Sequence, residues 1–163
     1  KILFSELNKL ESYSKRGRKI NSETITKLTN LIENHEISEL INNCLANNKK
    51  KTISILIENN FSKEDCILII RTFLSKLKKI LKLSYEFQNN NNIDLTISTA
   101  KPPIFWKEKN ITKQQILRLK PKNIKEIIYR LNIIELDVKK NYENSVNLVT
   151  DFILDHVTLN TNN

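Results

Sequence analysis

Ser62-Lys63-Glu64-Asp65-Cys66-Ile67-Leu68-Ile69-Ile70-Arg71-Thr72-Phe73-Leu74-Ser75-Lys76-Leu77-Lys78-Lys79-Ile80-Leu81-Lys82-Leu83-Ser84-Tyr85-Glu86-Phe87 decides the fold class. Ser62 followed three residues later by Asp65 is a capping-box start, and no proline or glycine interrupts the run. Ile67, Ile70, Leu74, Leu77 and Leu81 step by three and four, with Phe73, Ile80 and Phe87 widening the stripe. Ser75, Lys78, Lys79, Lys82 and Glu86 fall opposite, as a solvent-facing row does. The spacing predicts a helix over 63–88. Burying one of its Leu or Ile side chains is worth about 1.5–3 kcal/mol, so this helix is expected to organise the domain.

The pattern repeats on both sides. Upstream, Leu3, Phe4, Leu7 and Leu10 give a helix over 2–14, and Ser22 opens a short one carrying Ile25, Leu28 and Leu31-Ile32. Ile37, Leu40, Ile41, Cys44 and Leu45 form the next, broken at Asn47-Asn48. Ile53, Ile55, Leu56 and Ile57 mark another. Downstream, Asn89–Asn92 is a polar loop before a helix from Asp94 to about Thr99. Pro102-Pro103 forms a rigid corner. Ile111, Ile116, Leu117 and Leu119 follow. Pro121, suited to a first turn, then opens a helix with Ile124, Ile127, Ile128, Leu131, Ile134 and Val138 inward. Tyr142 and Glu143 start the last helix, with Val146, Val149, Phe152, Ile153 and Val157 inward, and 158–163 is expected to fray. The fold class is all-α, a helical bundle.

Composition excludes most chemistry. Gly17 is the sole glycine in 163 residues, so neither G-x-x-x-x-G-K-[ST] nor G-x-G-x-x-G can be written. Tight type I′ and II′ hairpins are disfavoured for the same reason. His35 and His156 are the only histidines and stand far apart without ligand-spaced partners, so no metal is expected. Cys44 and Cys66 sit in apolar helical settings, which argues against a disulfide scaffold and for a reducing, cytoplasmic compartment. No nucleophile–base constellation is visible, and neither an active site nor a cofactor is expected. The longest aliphatic run, Ile67–Ile70, is far short of the roughly 20 residues a membrane span needs.

Net charge is +9, from 27 Lys and Arg against 18 Asp and Glu, which invites a nucleic-acid reading. Only five of those bases are Arg, the residue favoured for base and phosphate forks. Lys15, Arg16, Arg18 and Lys19 around Gly17 are the candidate nucleic-acid contacts; the same cluster also fits a solvated interhelix loop. Lys49-Lys50-Lys51, at the start of its helix, is expected to be a solvated face. Phe105-Trp106, behind the Pro-Pro corner, is the one concentrated aromatic site. Such a pair either locks a loop onto its own domain or anchors a partner.

Lys101-Pro102-Pro103-Ile104-Phe105-Trp106-Lys107-Glu108-Lys109, then Gln115-Ile116, then Glu135-Leu136-Asp137-Val138-Lys139, resembles in order the C-terminal part of the delta subunit of bacterial DNA polymerase III. Proteobacterial members of that family tend to carry a K-P-P-I-F-F-K-R-K stretch; here Trp106 stands where Phe is common. Leu7-Asn8-Lys9-Leu10 and Ile20-Asn21-Ser22-Glu23-Thr24-Ile25 are similar to its E-L-x-K-L and I-T-x-E-x-V pieces. The resemblance implies residues 1–35 as the end of a helical lid domain, 36–159 as a helical collar domain and 160–163 as a tail. It implies a non-catalytic assembly role in the clamp loader, which places a sliding clamp on primed DNA within a DNA-polymerising holoenzyme. Partners implied are gamma/tau- and delta-prime-type loader subunits through the collar, and the clamp through an N-terminal domain expected to precede this chain. DNA contact is implied only indirectly. A basic helical nucleic-acid-binding module, using Lys15–Lys19, Lys49–Lys51 and the Lys78, Lys79, Lys82 row, stands as the alternative.

Overall fold

A computed structural model describes residues 31–159 continuously, together with residues 7, 8, 11, 12, 14, 15, 17 and 21. The protein is all-α, a helical bundle, with no strand among the described residues. The chain divides into two compact units, Lys1–Ser38 and Glu39–Asn163. In the first, the described positions between 7 and 15 are helical, and Gly17 turns with φ 73° while its N–H donates to Ser14 O at 2.9 Å. The helix expected to open at Ser22 lies outside the described residues until Leu31.

From there seven helices follow: α1 (Leu31–Leu45), α2 (Lys49–Asn59), α3 (Lys63–Asn90), α4 (Ile93–Thr99), α5 (Lys109–Arg118), α6 (Pro121–Lys140) and α7 (Ser145–Leu159). Short 3-10 turns at Trp106–Glu108 and Tyr142–Asn144 lead into α5 and α7. The chain expected to fray from Thr158 stays helical through Leu159, with Thr158 Oγ1 donating to Leu154 O at 2.8 Å.

α3 is the organiser, packed against α4, α5, α6 and α7. The Asp65 carboxylate accepts both the Ser62 backbone N–H and its hydroxyl at 2.8 Å, the reciprocal cap expected at this start. Its buried face differs from the expected stripe by a small rotation. Cys66, Ile69, Ile70, Phe73, Leu77, Ile80, Leu83 and Ser84 are buried, whereas Ile67, Leu74 and Leu81 are only half-buried. Period alone locates a stripe to within a residue or so, because neighbouring helices on two sides decide its centre. Around α3 close Ile124, Leu131 and Val138 of α6 and Ile153 and Val157 of α7, all essentially inaccessible. Phe73 and Phe152 meet edge to face, with centroids 5.8 Å apart.

Asparagine takes over glycine's role at the breaks between helices. Asn47, Asn60 and Asn91 adopt φ of 61°, 40° and 51°, the left-handed region that Asn tolerates best among residues with a side chain. Asn91 ends α3 with its N–H on Phe87 O at 2.8 Å. One residue on, Asn92 caps α4 by accepting from the Leu95 N–H at 3.0 Å. The polar loop at residues 89–92 is thus a stop and a start placed back to back.

Candidate functional site

Two features carry the chemistry of the corner between α4 and α5: an exposed aromatic pair and a polar cluster built on Glu108 of the same turn. The corner begins with Ala100, buried, and a cis Lys101–Pro102 peptide. Ile104 is buried and pins the turn to the domain, while Phe105 is 57% and Trp106 68% exposed. Their rings pack on each other, centroids 5.8 Å apart and tilted by 52°, and Lys107 Nζ sits 5.3 Å above the indole. Lys101, Lys107 and Lys109 around them are exposed. Of the two roles open to this pair, wedge into its own core and outward anchor, the geometry fits the outward one. Ile104 is the wedge.

The residue after Lys107 turns inward. Glu108 Oε1 accepts from Asn42 Nδ2 of α1 at 3.0 Å, and its Oε2 lies 3.2 Å from Lys76 Nζ of α3. Burial alone pushes the Glu108 carboxyl up, but the Lys76 charge and the Asn42 amide outweigh it and hold the group below its ordinary value. Burial presses the Lys76 ammonium down, partly offset by Glu108. Behind this pair Gln115 Nε2 donates to Asn42 O at 2.8 Å, and Arg118 reaches the Leu45 carbonyl at the end of α1 at 2.9 Å. Thus α5 is bolted to α1 by side chains that satisfy backbone carbonyls. Thr112 Oγ1 and Gln115 Oε1 are buried in the same place without a protein partner.

This cluster leaves little trace in the sequence, because Lys107-Glu108-Lys109 reads as a uniform solvated tract. One signal was present. Gln115 falls on the same stripe as Thr112 and Leu119, where a polar residue among buried ones needs partners.

The other singled-out residues are separate from it. Lys15 is exposed and paired with Glu11 at 2.7 Å, while Arg16, Arg18 and Lys19 lie outside the described residues. Lys49, Lys50 and Lys51 are exposed on the first turn of α2, with Lys51 3.3 Å from Glu39. Of the row predicted to face solvent on α3, Ser75, Lys78 and Lys82 are exposed, whereas Lys79 and Glu86 are half-buried. His156 is buried against the Phe152 ring, and burial, then the charges of Arg118 and Arg130, lower it to about 4. The Cys44 thiol is driven up to about 12 by burial, and the buried Cys66 thiol is raised for the same first reason. Both thiols are buried in the core, where cysteine serves as a small apolar packing group. Among the described residues no group of His, Cys, Asp and Glu could hold a metal ion, and no helix is long and apolar enough to cross a membrane.

The arrangement suits an exposed aromatic contact on an anchored turn. Comparison with known protein families, with curated proteins and with solved structures returned no match.

Proposed function

We propose that this chain is the non-catalytic assembly region of a delta-type subunit in a bacterial DNA polymerase III clamp loader, acting in DNA replication by packing a collar-like bundle against gamma/tau- and delta-prime-type neighbours. The sequence likeness of the Lys101–Lys109 stretch motivates the reading. The observation that carries it is the outward display of Phe105 and Trp106 on a turn anchored by buried Ile104 and by Glu108. Large aromatic side chains held rigidly in water are the commonest energetic anchors of protein interfaces, since little side-chain entropy remains to be lost on docking. The test is reconstitution of the chain, within its full-length subunit, with gamma/tau- and delta-prime-type subunits. Co-elution that is lost in the Phe105→Ala, Trp106→Ala double variant is the expected result. Failure of the unaltered subunit to enter a complex ends this reading.

The alternative, a basic helical nucleic-acid-binding module, draws on the exposed Lys49, Lys50, Lys78 and Lys82. It requires affinity that falls with salt by a log–log slope of about 0.7–0.9 per phosphate contact. No binding to single- or double-stranded DNA at low salt removes it.

A further inference from the structure

A second surface lies on α6, on the opposite side of that helix from its buried face. Tyr129 is 68%, Ile133 42% and Leu136 56% exposed, whereas Ile124, Ile127, Leu131 and Val138 of the same helix are buried. Lys122, Glu126, Tyr129, Ile133, Leu136 and Lys140 follow one another by alternating steps of four and three, the spacing that keeps one seam facing a partner helix. A helix that already buries one stripe has no need, for its own folding, of a second apolar stripe in water.

Charge around the seam chooses the occupant. Lys122 and Lys140 bound the apolar seam, and among the described residues neither has an ion-pair partner. Lys125 flanks it, lying over the Tyr85 ring of α3 at 5.7 Å, and Arg71 of α3 reaches Glu135 at 3.8 Å. The α3 row of Lys78 and Lys82 is exposed on the adjoining helix. Glu126 and Asp137 are the acids set against this excess. A second copy of the chain fits badly. Parallel pairing sets Lys122, Glu126 and Lys140 each against its like. Antiparallel pairing about Tyr129 and Ile133 sets Lys122 against Lys140 at both ends. Like charges opposed across a seam disfavour such pairs.

We propose that the Tyr129–Ile133–Leu136 seam of α6 docks an amphipathic helix of a different protein, apolar along its centre and acidic at its flanks. The inference takes from the assembly reading only that the partner is a protein. It names a face separate from the Phe105–Trp106 turn.

The probe is a synthetic three-heptad peptide with Leu and Ile on its seam and Glu on its flanks, alongside a counterpart with Lys in place of every Glu. Titration of the full chain by calorimetry is expected to show the acidic peptide binding and weakening as ionic strength rises, with the Lys counterpart not binding. Ile133→Asp is expected to weaken the acidic peptide at least about thirtyfold, the scale of an interface hot spot. Ile57→Asp, at an exposed position on α2, is expected to leave it unchanged. Lys122→Glu with Lys140→Glu shifts preference toward the Lys peptide. Circular dichroism of each variant establishes that the helices are retained. No binding of the acidic peptide, equal binding of both peptides, or equal binding by Ile133→Asp overturns the proposal. So does sedimentation showing a dimer of the chain that Ile133→Asp dissolves, since the occupant is then a second copy. None of these measurements uses loader subunits, so failure here and failure of the clamp-loader reading are separate results.

Discussion

Lys76 and Glu108, 32 residues apart in sequence, meet at 3.2 Å, and the Asn42 amide takes the other oxygen of the same carboxylate at 3.0 Å. One acidic side chain thereby ties α1, α3 and the turn before α5 into a single node, in the same 3-10 turn that carries the exposed Trp106. Both charges are mostly withdrawn from water, with side-chain exposures of 14% and 31%, so each depends on the other. Lys76→Met leaves Glu108 with one neutral donor and is expected to cost about 1–3 kcal/mol in urea denaturation. Adding Glu108→Met to it should recover part of that loss, because removing both charges removes the unpaired one. A double variant no more stable than Lys76→Met alone contradicts the coupling.

Acid should weaken the fold through His156. Its folded value of about 4 lies below the ordinary 6.5, chiefly through burial and then through Arg118 and Arg130. In the unfolded chain the imidazole takes its proton near pH 6.5, so between that pH and about 4 the unfolded state binds more protons. Stability is therefore complete above the unfolded value and declines as pH falls through the window, by an amount on the order of 3 kcal/mol at its lower end. Urea midpoints of the wild type and His156→Gln at pH 7 and pH 4.5 read this directly. The variant is expected to lose most of the pH slope in this window; an unchanged slope assigns it to other groups.

How much of this was legible in the sequence follows from which interactions are local. The α3 cap needs only Ser62 and Asp65, and the inward faces of α6 and α7 need only periodicity, so both could be read directly. The exact centre of the α3 stripe could not, because Ile67 and Leu74 give way to Cys66 and Ile69 only once α6 and α5 take their sides. Glu108 reads as one charge among three until the fold brings Lys76 and Asn42 to it. Nor does a single amphipathic pattern reveal a second stripe: Tyr129, Ile133 and Leu136 lie among inward Ile128, Leu131 and Ile134, so the helix looks apolar nearly all round.

Asn91 offers a test of asparagine as the substitute for glycine. At φ 51° the backbone is in the region where a branched Cβ collides with the following carbonyl. Asn91→Val is expected to destabilise by about 1–2 kcal/mol, whereas Asn91→Gly should be neutral within a few tenths. Thermal or urea unfolding separates the two. Equal losses for both would show that the Asn side chain, not the backbone conformation, holds the α3–α4 junction.

Trp106 reports on its own surroundings, being the sole tryptophan. At 68% exposure its emission should be red-shifted and readily quenched by acrylamide in the native chain, and should change little on unfolding in urea. A blue-shifted, protected indole would mean that the turn folds onto its own domain. Because the side chain contributes little to the core, Trp106→Ala should alter stability by no more than about 0.5 kcal/mol. Ile104→Ala, which removes the buried anchor of the same turn, should cost about 2–5 kcal/mol. The contrast matters for function. A variant that keeps stability yet loses complex formation identifies Trp106 as a contact residue. Loss of complex with Ile104→Ala alone would reflect only a loosened turn.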